Sequence, residues 1–355
     1  MAQISYFLGA NTPQGFYGLT QQLFDPAQVQ ALYILKGGAG CGKSSLMKKL
    51  AQQGEEQGLE VHRFFCSGDP GSLDAVLFPS LRTALVDGTA PHVVEPTLPG
   101  VVEHYVNLER FYDTAALLPR KEEMVALMCA YQGCYRRAYR CLKGAGQLLE
   151  DNRDILETPE LANKVRKRAA GIVSREIPRN GPGSAVAERF LSGVTCQGYV
   201  EYFDTVTALC GRVYELRDSY GTAHLMLEEL LSAATERGWP VIACPDPMAT
   251  QRLRHLLIPA LGLAFVTGTP ESPYPGEPYR RLRLDSMADK EVVRRSRARI
   301  RFARKVANAL MEEGMETLAQ GKALHDELEA IYNPHVDFTG VYAVAEELSR
   351  RIFGA

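Results

Sequence analysis

Lys43 and Ser44 close the run Gly37-Gly38-Ala39-Gly40-Cys41-Gly42-Lys43-Ser44, which has the form G-x-x-x-x-G-K-[ST]. Residues of these types at this spacing bind phosphate. Glycines permit backbone conformations that aim successive N–H groups inward, and the start of a following helix adds partial positive charge. The lysine then reaches the β- and γ-phosphates, and the next hydroxyl holds Mg²⁺. The surroundings suit the motif. Ala31-Leu32-Tyr33-Ile34-Leu35 ahead of it has strand character, and Ser45-Leu46-Met47-Lys48-Lys49-Leu50-Ala51 behind it reads as an amphipathic helix. The pattern predicts a nucleoside-triphosphate site formed by Gly37, Gly38, Ala39, Gly40, Cys41, Gly42, Lys43, Ser44 and Ser45, with Lys43 as a catalytic group.

The chain also repeats itself at a spacing of about 180 residues, as a duplicated unit does. Phe7 to Phe16 returns as Phe190 to Tyr199, and Tyr33-Ile34-Leu35-Lys36 as Tyr214-Glu215-Leu216-Arg217. Leu77-Phe78-Pro79-Ser80-Leu81 returns as Leu257-Ile258-Pro259-Ala260-Leu261, and Val86-Asp87-Gly88-Thr89 as Val266-Thr267-Gly268-Thr269. The phosphate loop is where the copies part. The second reads Asp218-Ser219-Tyr220-Gly221-Thr222-Ala223-His224-Leu225. Asp218 places a repelling carboxylate beside the nest, Tyr220 crowds it, and His224 is mostly neutral near pH 7. Leu225 cannot ligate magnesium, which takes oxygen ligands. The second copy is expected to have lost triphosphate binding and kept its fold.

The repeat helps to choose a metal ligand. Asp87 ends the apolar run Ala84-Leu85-Val86, where a metal-supporting Asp belongs, and its counterpart in the degenerate copy is Thr267. Mg²⁺ is therefore assigned to Ser44 and Asp87, with Asp87 counted among the catalytic residues. Asp69 has a counterpart in Asp246, and both precede proline, which suits a turn residue. Asp69 and Asp74 stay as second choices. Glu95 is a candidate base, although a solvated loop carboxylate explains it better.

Composition bounds the rest. A chain of 355 residues suits two domains, and 46% hydrophobic residues can supply two cores. The net charge of −2 gives no general attraction to nucleic acid or anionic membrane. No leader-like start is visible, and the longest uncharged apolar run is too short for a bilayer, which takes about 20 residues. A cytoplasmic protein with reduced thiols is expected, with Cys41 accessible inside its loop. The seven histidines show no ligand-like clustering. Residues 121–175 read as a helical hairpin or lid broken near Pro159, and residues 178–184 as a linker. The domains are thus placed at 1–177 and 185–355. Residues 294–305 form a basic helix read as a solvated face, with an arginine finger and a nucleic-acid surface as alternatives. The fold class is α/β: two tandem domains, each a parallel sheet flanked by helices with a C-terminal helical extension, the second degenerate.

At residues 10–16, at the Lys43 loop and at residues 87–96, the chain resembles a little-characterised group of bacterial ATPases built from two P-loop domains, within the P-loop NTPase superfamily. The resemblance covers most of the chain and implies ATP binding and a cytoplasmic setting. A second intact loop is common in that group, and residues 218–225 depart from it. Gly37, Gly42, Lys43 and Ser44 carry over from the wider superfamily. The expectation is a slow or partner-stimulated Mg²⁺-dependent ATPase with one working site, which an arginine from the second domain or a second protomer could complete. A small-molecule or nucleotide kinase and a non-hydrolysing nucleotide-gated scaffold are the alternatives.

Overall fold

The structure, a computed structural model, describes residues 3–20, 29–90 and 93–354. Pro91 and His92, within the string at 87–96, lie outside them. The first half runs β1 (Ile4–Phe7), a hairpin of β2 (Gly9–Thr12) and β3 (Gly15–Gly18), β4 (Ala31–Lys36), α1 (Lys43–Glu56), β5 (His62–Phe65), β6 (Leu73–Phe78), β7 (Thr83–Asp87) and β8 (Glu103–Asn107). Two helices follow, α2 (Lys121–Leu156) and α3 (Pro159–Glu176), broken where Pro159 was expected to break them. The second half repeats the plan with β9 (Val186–Glu188), a hairpin of β10 (Ser192–Thr195) and β11 (Gly198–Glu201), α4 (Phe203–Leu209), β12 (Arg212–Arg217), α5 (Ala223–Glu236), β13 (Val241–Asp246), β14 (Ala249–Ile258), β15 (Leu263–Gly268) and β16 (Arg280–Arg283). The chain ends in α6 (Lys290–Tyr332) and α7 (Phe338–Phe353). Among the described residues, no helix is long and apolar enough to cross a membrane.

Each half builds one six-stranded sheet, ordered β1-β5-β6-β7-β4-β8 and β9-β13-β14-β15-β12-β16. The two orders correspond strand for strand, in keeping with the repeat. Neither sheet is wholly parallel, which corrects the expectation. β6 and β14 run antiparallel to both neighbours. Their links to the next strand explain this. Pro79–Leu81 and Pro259–Leu261 form single helical turns, too short for the crossover that a parallel pair requires. Both turns close in a left-handed conformation, at Arg82 and at Gly262.

Side chains alternate across the strands and pack into cores between and outside the two sheets. Leu32, Ile34, Ala84 and Val86 face inward, where they meet Val213, Leu257, Ala264 and Val266 of the other sheet in one shared core. Tyr33, Leu35 and Leu85 face outward onto α1, and Tyr214, Leu216 and Phe265 outward onto α5. Asn11 fixes the hairpins at this junction. Its amide donates to the Val194 carbonyl at 2.8 Å and accepts from the Tyr139 hydroxyl at 3.0 Å.

The outer helices do not follow the chain boundary at 177/178. Leu161, Val165 and Ile172 of α3 belong to the core of the second sheet, whereas Val341, Val344 and Leu348 of α7 belong to that of the first. Each half gives its last helix to the other. The connections are α2 and α6, which pack antiparallel along one another: Cys134 lies against Gly321, Leu142 against Gly314 and Gly144 against Leu310. The segment expected as a helical hairpin or lid thus divides: α2 is one arm of this pair, and α3 packs on the second sheet. The exchange predicts that Leu348→Ala lowers stability by roughly 2–5 kcal/mol, as for other buried Leu truncations. It should also speed amide exchange in α1. Faster exchange confined to the second half would contradict the exchanged arrangement.

Candidate functional site

The glycine loop joins β4 to α1 at the carboxyl end of the first sheet. Gly40 and Gly42 adopt φ values of +68° and +85°, a region that residues with a Cβ rarely occupy. A Cβ on Gly37 would lie 2.5 Å from the Cys41 sulfur, so the thiol fills the space beneath the loop. Cys41 is 1% exposed, contrary to the accessibility expected for it, because its side chain turns into the core with Leu35 and Leu108. Ala39 accepts a 3.0 Å bond from the Tyr112 hydroxyl through its carbonyl, and Ser45 is exposed on the first turn of α1.

Lys43 folds back on the loop and donates to the Gly37 and Gly38 carbonyls at 2.6 and 2.8 Å. Its ammonium also lies 3.6 Å from Asp87 Oδ2. Strand register causes this meeting: parallel pairing sets Asp87 beside Leu35, so β7 ends where the loop begins. The other Asp87 oxygen accepts from the backbone N–H of Thr89 at 2.9 Å and from the Thr89 hydroxyl. Ser44 Oγ accepts from the Leu73 N–H at 2.9 Å. A hydroxyl and a carboxylate are oxygen donors of the kind that suit Mg²⁺.

The second half of the chain reaches this loop. Glu329 near the end of α6 accepts from the Gly40 N–H at 3.3 Å. A Cβ on Gly40 would meet Asn333 Oδ1 at 2.5 Å, and one on Gly42 would meet Val341 and Phe338 at 3.4–3.5 Å. Tyr332 packs on Tyr112 with ring centroids 5.1 Å apart. None of these residues carries a local sequence signal. They reach the loop through the helix exchange alone.

The remaining candidates fall elsewhere. Asp69 accepts from the Gly71 N–H and the Ser72 hydroxyl, and Asp246 accepts from the Met248 N–H, so both serve turns. Asp74 is buried in β6. Glu95 is exposed; the Tyr105 hydroxyl and Lys36 hold its carboxyl below the usual range. His325, Asp326 and Glu329 bring possible ligand atoms within 4.8 Å of one another, a grouping that the expectation of scattered histidines missed. The basic run lies at the other end of α6, where Arg304 donates to the Ser219 carbonyl of the second loop.

That second loop shows what became of the other copy. Asp218 is 3% exposed. It does not stand beside the nest, as expected, but fills it. Its carboxylate accepts from the N–H groups of Tyr220, Gly221 and Ala223 at 2.9, 3.0 and 2.6 Å. Burial nevertheless raises its pKa, and those bonds oppose the rise. Arg153, near the end of α2, crosses Gly221, so this loop too is closed by a helix from the opposite half. His224 and Thr267 occupy the positions of Lys43 and Asp87. The Thr267 hydroxyl donates to the Arg254 carbonyl.

Comparisons with protein-family models, with curated proteins and with solved structures found no match to this chain. Its site is therefore read from its own geometry.

Burial, with Arg252 beside it, pushes the His224 imidazole down to about 4 from an ordinary 6.5. The folded protein thus binds fewer protons than the unfolded chain between those values. The stability this neutral group contributes is complete above about pH 6.5 and is lost as pH falls toward 4. His224→Gln should make the urea midpoint less dependent on pH across that window. An unchanged slope would argue that His224 is not held neutral.

Proposed function

We propose that the loop at 37–44 binds the phosphates of a nucleoside triphosphate with Mg²⁺, ATP being the nucleotide of choice, and that the protein is an ATPase with one working site. The observation that carries this reading is the meeting of three features: positive φ at Gly40 and Gly42, Lys43 at the helix start, and Asp87 within 3.6 Å of its ammonium. Left-handed glycines before a helix turn N–H groups toward one point, which favours an anion.

Lys43 would leave the loop carbonyls for the β- and γ-phosphates, and its charge would meet the negative charge growing on the γ-phosphoryl oxygens. Ser44 and Asp87 would hold Mg²⁺, whose positive charge would offset that of the phosphate oxygens. Water is the proposed nucleophile. The second loop would not take part, since its nest is filled by Asp218.

A gated, slowly turning site is favoured over a permanently open one, because Glu329 sits on the Gly40 N–H. A triphosphate entering the nest would displace that carboxylate, which in this proposal shifts the end of α6. Nucleotide binding would then be felt along α6, which runs against α2 toward the second loop. This motion is also what a non-hydrolysing, nucleotide-gated scaffold would use.

Calorimetry with Mg-ATP and a turnover assay on the same samples test the proposal. Lys43→Ala should lose both binding and turnover, and Asp87→Asn should lose the Mg²⁺ dependence of binding. Equal affinity in Lys43→Ala sinks the assignment. Binding without turnover in the unaltered chain leaves the scaffold reading. Glu329→Gln should bind three- to tenfold more tightly, about 0.7–1.4 kcal/mol, through loss of a competing charge. Unchanged affinity there would reject the gate and leave the phosphate site standing.

A further inference from the structure

The chain's net charge of −2 conceals a segregation. Residues 280–305 hold nine Arg and two Lys against two Asp and one Glu. Folding gathers much of this charge on one line. At 100° per residue, Lys290, Arg294, Arg297, Arg301 and Lys305 share one narrow stripe of α6, and all five are exposed. The stripe is about 22 Å long at 1.5 Å per residue. The opposite side of the same helix, with Ile300, Ala303 and Ala307, is buried against the protein.

Little on the molecule neutralises the stripe. Arg294 pairs with Glu291 at 2.7 Å. Among the described residues, Arg297, Arg301 and Lys305 have no ion-pair partner. Exposed Arg280, Arg281 and Arg283 of β16 extend the positive charge beyond the helix start, with Arg281 paired to Glu215. Like charges held in a row repel one another, so the arrangement costs stability unless an anion answers it.

We propose that this face binds the phosphate backbone of a nucleic acid. Three observations favour that partner. The stripe is long and straight, so successive cations meet a linear polyanion. It is mostly arginine, whose planar fork matches phosphate oxygens. Phe302, 65% exposed, stands beside Arg301 and offers one ring for base stacking. An anionic membrane is the poorer partner. A helix that lies in a bilayer surface needs a free apolar face, and that of α6 is already buried. The binding is of the backbone and therefore independent of sequence. It stands apart from the nucleotide reading, since the stripe and Glu329 occupy opposite ends of α6.

The test is fluorescence anisotropy of the full chain with labelled 20-nucleotide single strands and duplexes, across a salt series. Sedimentation with phosphatidylserine vesicles runs beside it. Binding with a Kd of about 10⁻⁴–10⁻⁶ M that weakens with salt is expected. Arg297→Gln/Arg301→Gln should reduce affinity at least tenfold at low salt. It should also lower the salt slope by about 1.4–1.8, at roughly 0.7–0.9 per lost phosphate contact. The charge-matched Arg350→Gln/Arg351→Gln on α7 should do neither. All four sites are exposed, and glutamine keeps the helix propensity, so the variants should fold. The proposal is overturned by no binding at 100 µM protein and 50 mM salt, by equal loss in the two variants, or by vesicle binding without oligonucleotide binding.

Discussion

Backbone N–H groups that converge at the start of a helix must be met by an acceptor, and both glycine loops of this protein are arranged around that need. The first receives the Glu329 carboxylate from a helix more than two hundred residues further along the chain. The second receives Asp218 from within itself. A nest satisfied from outside can exchange its acceptor for another anion by moving one helix end. A nest satisfied by its own buried side chain cannot do so without unfolding the loop. The two halves therefore keep one architecture and differ in how their loops are filled.

The position of Glu329 in turn depends on the exchange of helices. Were α7 packed on its own half, the end of α6 would lie beside the second loop. It lies on the first because Val341, Val344 and Leu348 complete the core over α1. The reciprocal placement of α3 brings the end of α2, with Arg153, over Gly221. The shared core between the sheets then ties both halves together. Neither half buries its apolar surfaces alone, so neither is expected to fold as an independent unit.

Much of this organisation is legible in the chain. The offset near 180 residues anticipates two sheets of one topology, and the Pro-containing turns at Pro79 and Pro259 recur at matched places in both. Those same turns hold the reason the sheets are mixed, yet a single helical turn between strands is hard to tell from a loop by pattern alone. That Asp87 ends its strand beside the first loop was also readable, because it closes an apolar run and is replaced by Thr267 in the second half. The burial of Cys41 was not: a side chain in a glycine loop turns in or out according to what packs beneath.

By itself, the sequence determined the local chemistry: glycines that admit left-handed backbone, a lysine at a helix start, an aspartate in place of the first glycine of the second loop, and a helix with cations on one side and apolar residues on the other. These follow from neighbours within a few residues, where bond geometry and helical or strand period dictate the outcome. Tertiary structure alone decided which half each last helix completes, that Glu329 meets the first loop, and that Asp218 enters its nest. Those choices rest on contacts between residues far apart in the chain. Their energies depend on how whole apolar faces fit, which no local pattern encodes.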